Sequence, residues 1–208
     1  VGRVQALWPW VRRAELFSPT ECSELVALAD AQDGWREAIV ARGAEARVRR
    51  GRRRARQLSV AGGRADASLP ALFEPWLLRV ERLALELDRD HFQLGIRGIH
   101  DAQLVEYVRG GFYGWHPDAR DHAFRKLTAL CYLTDRQSDA VRGGETSFAP
   151  PALARLVRRG RRPASWLRWL PTAQTPRRGR VLLFDSTLLH CAHRVSAGRK
   201  VSLNVWFA

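Results

Sequence analysis

His116-Pro117-Asp118 stands near the middle of the chain, and His190 and Lys200 stand near its end. Two imidazoles and one carboxylate form the ligand set of a non-haem Fe(II) site that keeps positions open for a co-substrate and oxygen. In extended backbone, residues two apart share a face, so His116 and Asp118 are expected to grip one ion together. The third ligand, His190, must then come from a neighbouring strand. A His-x-Asp triplet alone occurs often by chance. The same triplet followed by His190 and, ten positions on, by Lys200 is far more specific.

The elements that must position these groups are strands. In residues 199–207, Val201, Leu203 and Val205 face one way, while Lys200, Ser202, Asn204 and Trp206 face the other. A half-buried strand turns its polar side to water or to a polar cavity, and a cation, a hydroxyl and an amide close to a His fit the cavity. Residues 125–134 alternate similarly, with Leu127, Ala129, Cys131 and Leu133 on one face and Lys126, Thr128, Leu130 and Tyr132 on the other. Leu130 breaks the polar pattern there, which leaves open a strand buried on both sides.

Helices precede the strands. Ser18-Pro19-Thr20-Glu21 reads as a capping box with Pro at the first helical position, followed by the stripe Leu25, Val26, Leu28 and Ala29 up to about Asp30. A second helix opens at Ser68-Leu69-Pro70 and runs to about Leu87, with Leu72, Trp76, Leu77, Val80, Leu83 and Leu87 at helical spacing. Residues 35–40 look extended. Residues 42–56 are rich in Arg, lack apolar periodicity and read as a loop. Residues 150–176 give no clear pattern and are read as an insertion between core strands. Helices followed by a run of strands predict an α+β domain with helices packed on one face of a sheet or barrel.

With 208 residues the chain fits one domain with a sizeable core, and no apolar run approaches a membrane span. The first ten residues lack the apolar core of a secretory signal. Cys22, Cys131 and Cys191 make an odd count without a Cys-x-x-Cys, which argues against a disulfide framework or a zinc knuckle. A cytoplasmic setting is therefore expected. The net charge of +14 invites a nucleic-acid partner. Lys occurs only at 126 and 200, so nearly all of that charge is Arg, and scattered Arg on a solvated surface is the simpler reading.

Tyr107-Val108-Arg109-Gly110-Gly111-Phe112-Tyr113-Gly114-Trp115-His116-Pro117-Asp118 resembles the entry to the metal site of the prolyl 4-hydroxylase-like Fe(II)/2-oxoglutarate dioxygenases. Residues 125–134 resemble their next strand, Gly143-Gly144-Glu145-Thr146 their glycine pair, and 179–186 with 190–206 their closing strands. The likeness covers roughly 100–207; it departs from the family at Arg194-Val195, where a Pro is usual. The resemblance implies a double-stranded β-helix of jelly-roll, cupin-like form. It implies a single domain over 1–208, with 1–98 as support and 99–208 catalytic.

Carried over by position, it implies His116, Asp118 and His190 as iron ligands and Lys200 as partner of the distal carboxylate of 2-oxoglutarate. Tyr132, Thr128 and Ser202 would assist Lys200, and Tyr107 would line the pocket. Charge supports Lys200 independently, because a buried dianion needs a fixed cation. The cofactors implied are Fe(II), 2-oxoglutarate and O2, with ascorbate as reductant, and the reaction is hydroxylation of an unactivated C–H.

Some alternatives stay open. His193 rivals His190, since a bulge could exchange them. His91, His100 and His122 have no partner at ligand spacing. Arg199 competes with Lys200 but alternates to the other face from Ser202. The resemblance points to a prolyl residue of a peptide or protein as substrate, and next to a free amino acid or other small molecule. A reading from another class is a basic nucleic-acid-binding module with a non-catalytic metal site, although the Arg-rich stretch interleaves no aromatic platform for bases.

Overall fold

In the computed structural model, residues 4–38, 51–62, 69–120, 124–149 and 173–208 are described. The large sheet has eight strands in the order β1-β2-β11-β8-β14-β6-β5-β3. These are β1 (Gln5–Trp8), β2 (Val11–Glu15), β3 (Arg36–Glu37), β5 (Arg56–Ala61), β6 (Ile99–Tyr107), β8 (Leu127–Tyr132), β11 (Arg180–Asp185) and β14 (Lys200–Phe207). A four-stranded sheet faces it, with the order β10 (Thr146–Phe148), β12 (His190–Ala192), β7 (Phe112–His116) and β4 (Arg53–Arg54). A short pair, β9 (Arg142–Gly143) with β13 (Val195–Ala197), completes the set. Every pairing within these sheets is antiparallel.

Helix α1 (Pro19–Asp30) opens on the predicted box: the Glu21 amide donates to Ser18 Oγ at 3.2 Å and the Ser18 amide donates to Glu21 Oε2 at 2.7 Å. Helix α2 (Leu69–Leu87) ends in a π turn (Asp88–Phe92), where the Asp88 carboxylate accepts from the amides of Leu94 and Ile96. Both helices lie on the outer face of the large sheet. Leu25, Phe73, Val80 and Leu83 from the helices pack against Leu104, Ala129, Cys131, Val201, Leu203 and Val205 from the strands. The alternation read in β14 and β8 is thus the division between helix-covered core and interior. Strand β8 is buried throughout, the two-sided option that Leu130 had left open. The α+β class and the double-stranded β-helix, with its helices on one sheet, are what the chain adopts.

Two stretches differ from the expectation. Within the segment read as a loop, Arg53 and Arg54 form β4 and pair with Tyr113 and Phe112 of β7, and Arg56 opens β5. Charged residues are tolerated there because edge strands gain by carrying charge, and pairing needs only the backbone. Positions 42–50 lie outside the described residues, as do 150–172 of the insertion and His122. At the end of that insertion, Gln174 exchanges backbone hydrogen bonds with Thr146. Among the described residues, no helix is long and apolar enough to cross a membrane.

Candidate active site

His116 is the last residue of β7 and His190 the first of β12, and the two are direct partners in the antiparallel ladder. Their rings lie 4.3 Å apart between centroids. Asp118 is not on the strand. Pro117 has no N–H to continue the ladder, so β7 stops and Asp118 begins a 3-10 turn (Asp118–Arg120). The Ala119 amide donates to the Ser186 carbonyl at 2.9 Å and pins that turn. The turn, rather than the alternation of an extended strand, brings the carboxylate to the imidazoles.

Ligand atoms of His116, Asp118 and His190 all lie within 4.8 Å of one another. The His116 Nδ1–Gly114 carbonyl distance is 2.8 Å and the His190 Nδ1–Leu188 carbonyl distance is 2.9 Å. A carbonyl only accepts, so each Nδ1 carries the proton and each Nε2 presents a lone pair. Those lone pairs face Asp118 at 3.6 and 3.7 Å, too far for hydrogen bonds and in need of a cation between them. This donor set fits an iron ion. Burial pushes the His190 imidazole down to about 4, helped by His116, so it stays neutral. Burial works to raise the Asp118 carboxyl, but His190 and His116 outweigh it and hold the group well below the usual carboxylate range.

The surroundings fix these side chains. Thr128 Oγ1 donates to Asp118 Oδ2 at 2.9 Å and is itself 2.8 Å from Ser186 Oγ, so Ser186 is the donor to Thr128. Tyr113 stacks on His116 with centroids 3.4 Å apart, and Phe184 meets His190 edge-on at 4.7 Å. Thr128 lines the same cavity as Lys200 and Ser202, and its hydroxyl bonds the Asp118 carboxylate.

Lys200 enters the same cavity, of about 430 Å³. It opens β14, is 1% exposed, and donates from Nζ to the Gly144 carbonyl at 2.6 Å. The rings of Tyr107 and Tyr132 lie 5.2 and 5.3 Å from Nζ. Gly144 has φ +74°, and a Cβ there would come within 3.0 Å of Lys200 Cδ, so the glycine leaves room for the lysine stem. Burial pushes the ammonium down to about 8, partly opposed by Glu145. Among the described residues, no carboxylate lies within ion-pair reach of it.

Ser202 and Tyr107 line the cavity with Lys200, whereas Tyr132 does not. Its hydroxyl lies 2.7 Å from Thr146 Oγ1 and 3.2 Å from the Gln174 carbonyl, and Thr146 takes its place on the wall. Arg199 turns outward to Asp30 and Glu106. His193 lies off the cluster, with Nε2 2.8 Å from Ser147 Oγ. His91 sits in the π turn, and His100 lines the cavity mouth beside Phe124. The sequence reading passed over Thr146, Arg53, Gln57, Gln103 and Arg125, all on the cavity wall. Thr146 closes the quoted Gly-Gly-Glu-Thr motif, so a signal existed for it; the others carry none. Gln57 Oε1, Arg125 Nε and Asn204 Oδ1 are buried on this wall without hydrogen-bond partners among the described residues, as expected of a surface that receives a ligand.

The family model described as the 2OG-Fe(II) oxygenase superfamily matches residues 102–208. No curated protein matches the sequence. Solved structures do: a prolyl-4-hydroxylase from Pseudomonas putida is similar with a TM-score of 0.67 at 18% identity, over 95% of this chain and 91% of that one. A prolyl hydroxylase from Trichoplax adhaerens, in complex with a hypoxia inducible factor oxygen degradation domain peptide fragment, gives 0.68 at 17% identity, over 96% and 83%. The viral collagen prolyl hydroxylase of Paramecium Bursaria Chlorella virus-1, as its 2OG complex, gives 0.60 at 18%, over 95% and 94%. The chain shares its fold with these prolyl hydroxylases, belongs to the 2OG-Fe(II) oxygenase superfamily, and is a 2-oxoglutarate-dependent dioxygenase that uses Fe(II) and O2.

Proposed function

We propose that this dioxygenase hydroxylates a prolyl residue within a peptide or protein. His116, Asp118 and His190 hold the iron, and Lys200 anchors the distal carboxylate of 2-oxoglutarate beside Ser202 and Tyr107. The observation that carries this reading is the convergence of two Nε2 lone pairs and one carboxylate on a common centre, in the same cavity as an uncompensated buried ammonium. Bound iron supplies the redox chemistry that couples decarboxylation of 2-oxoglutarate to oxygen insertion into C–H.

The protein's own contribution is placement. Backbone carbonyls at Gly114 and Leu188 set the imidazole tautomers, and the Ser186–Thr128 relay holds Asp118. Lys200, itself 1% exposed, neutralises one end of the co-substrate at a depth where an unpaired carboxylate would be very costly. Tyr132 acts from behind the wall, through Thr146. The polypeptide substrate is supported by the P. putida and T. adhaerens likenesses, the second carrying a peptide. We take 1–208 as one domain in which 99–208 bear the chemistry, supported by β4 and β5, which complete its two sheets from the preceding segment.

The test is incubation with Fe(II), ascorbate and 2-oxoglutarate, first alone and then with proline-containing peptides, free proline and other amino acids. Succinate formation, together with a gain of one oxygen on a peptide proline, is expected. Oxygen gained only by a free amino acid would replace the prolyl reading with a small-molecule one. Absence of succinate under every condition would remove the catalytic reading.

A further inference from the structure

We propose that a basic groove beside the cavity mouth receives an acidic stretch of polypeptide, flanking the residue that enters the cavity. This rests on the polypeptide reading above. The groove has a volume of about 720 Å³, and its charged lining is Arg53, Arg54 and Arg194 against the single carboxylate of Glu37, with Phe112 beside them. Arg53 lines both this groove and the iron-site cavity, so the two adjoin at that side chain. Strand β4 runs along it and, among the described residues, is the outer strand of the four-stranded sheet. An extended segment lying in the groove would pass Arg53, whose partner in the ladder is Tyr113 of β7, three residues before His116.

Charge selects the occupant. Many arginines of this chain are neutralised: Arg125 pairs with Asp101, Arg178 with Asp139, Arg180 with Glu15 and Arg199 with Asp30. Arg54 and Arg194 have no carboxylate partner among the described residues. Arg194 is exposed, donates only to the Gly110 carbonyl at 2.7 Å, and lies 4.5 Å over the Phe112 ring. Arg54 is exposed on β4. A stacked guanidinium keeps its outer N–H edge free, and that fork matches a carboxylate. Arg194 already occupies one face of Phe112, the aromatic ring lining the groove, which makes it a poor platform for a run of nucleobases. Glutamate and aspartate side chains are the anions that this groove fits.

The experiment uses the protein loaded with Fe(II) and 2-oxoglutarate under nitrogen, with fluorescein-labelled peptides that share a central proline and differ only in Glu or Gln flanks. Anisotropy should show the Glu peptide binding roughly tenfold more tightly at low salt, with the preference fading as salt rises. Arg54→Glu and Arg194→Glu should each abolish it. Peptide-independent 2-oxoglutarate turnover should stay at the parent level, which certifies the fold; Arg54→Glu guards against any local loss caused by removing the Arg194–Gly110 bond.

Equal binding of the Glu and Gln peptides overturns the proposal, as does a uridine oligonucleotide that displaces the Glu peptide at lower concentration than unlabelled peptide. The outcome is separable from the prolyl reading. Hydroxylation of both peptides with equal KM sinks the groove alone, whereas preferential binding of the Glu peptide without oxygen gain sinks prolyl hydroxylation and leaves the groove.

Discussion

The metal corner and the lysine corner of the cavity are built on opposite principles. At the metal corner each group is oriented by another: carbonyls hold both Nδ1 atoms, Thr128 holds Asp118, and Tyr113 and Phe184 wedge the rings. The lysine corner holds a single cation against one carbonyl and two aromatic faces. The first is rigid and carries a surplus of negative charge and lone pairs. The second is under-compensated and positive. A divalent cation would relieve the first imbalance, and an anionic co-substrate the second.

The contrast can be broken most sharply at the metal. Replacing Asp118 or His190 with Ala should cost on the order of a thousandfold in succinate formation and should empty the protein of iron on metal analysis. His193→Ala should retain the metal. If His193→Ala loses iron while His190→Ala keeps it, the arrangement described above is not the working one.

Next in size is Lys200→Met. The KM for 2-oxoglutarate should rise about a hundredfold, while the melting temperature of the ligand-free protein stays level or increases, because a buried charge has been removed. A clear drop in melting temperature would mean that the ammonium supports the fold rather than the co-substrate. The same residue predicts a pH signature. With the ammonium at about 8 in the fold and higher when exposed, the unfolded chain binds more protons between pH 8 and 10. Stability of the parent relative to Lys200→Met should therefore rise with pH across that window, by up to about 3 kcal/mol. Affinity for 2-oxoglutarate should fall over the same range as the cation is lost. Denaturant titrations of both proteins at several pH values check the sign.

Smaller effects sharpen the distinction. Thr128→Val should weaken iron binding by roughly tenfold to a hundredfold and leave the KM for 2-oxoglutarate nearly unchanged at saturating metal. Tyr132→Phe should do the reverse and only by a few-fold, since its hydroxyl reaches the cavity through Thr146. Isothermal titration with each ligand separates the two patterns.

How much of this was legible in the sequence follows the range of the interactions. The α1 cap and the faces of β14 lie within a few residues, and periodicity displayed them. The metal-corner residues could be named, but the means of bringing them together could not. Asp118 arrives through a turn enforced by Pro117, where alternation had suggested a strand. Strand β4 was invisible because its two arginines are chosen by an edge that needs backbone pairing and tolerates charge. The β1–β2 hairpin also went unread; β2 pairs with β11 from the far end of the sequence, and local pattern does not encode such a register. Gln57 and Gln103 carry no local signal, because only the sheet turns them to the cavity wall.

Strand β14, latest of the strands in sequence order, occupies the middle of the large sheet between β8 and β6 and brings Lys200 with it. During synthesis the two halves of that sheet therefore wait, with apolar faces uncovered, until the closing strand emerges and inserts between them. Aggregation hazard should concentrate in that interval, and a chain cut short before β14 is a split sheet with no lysine corner, rather than a weaker enzyme.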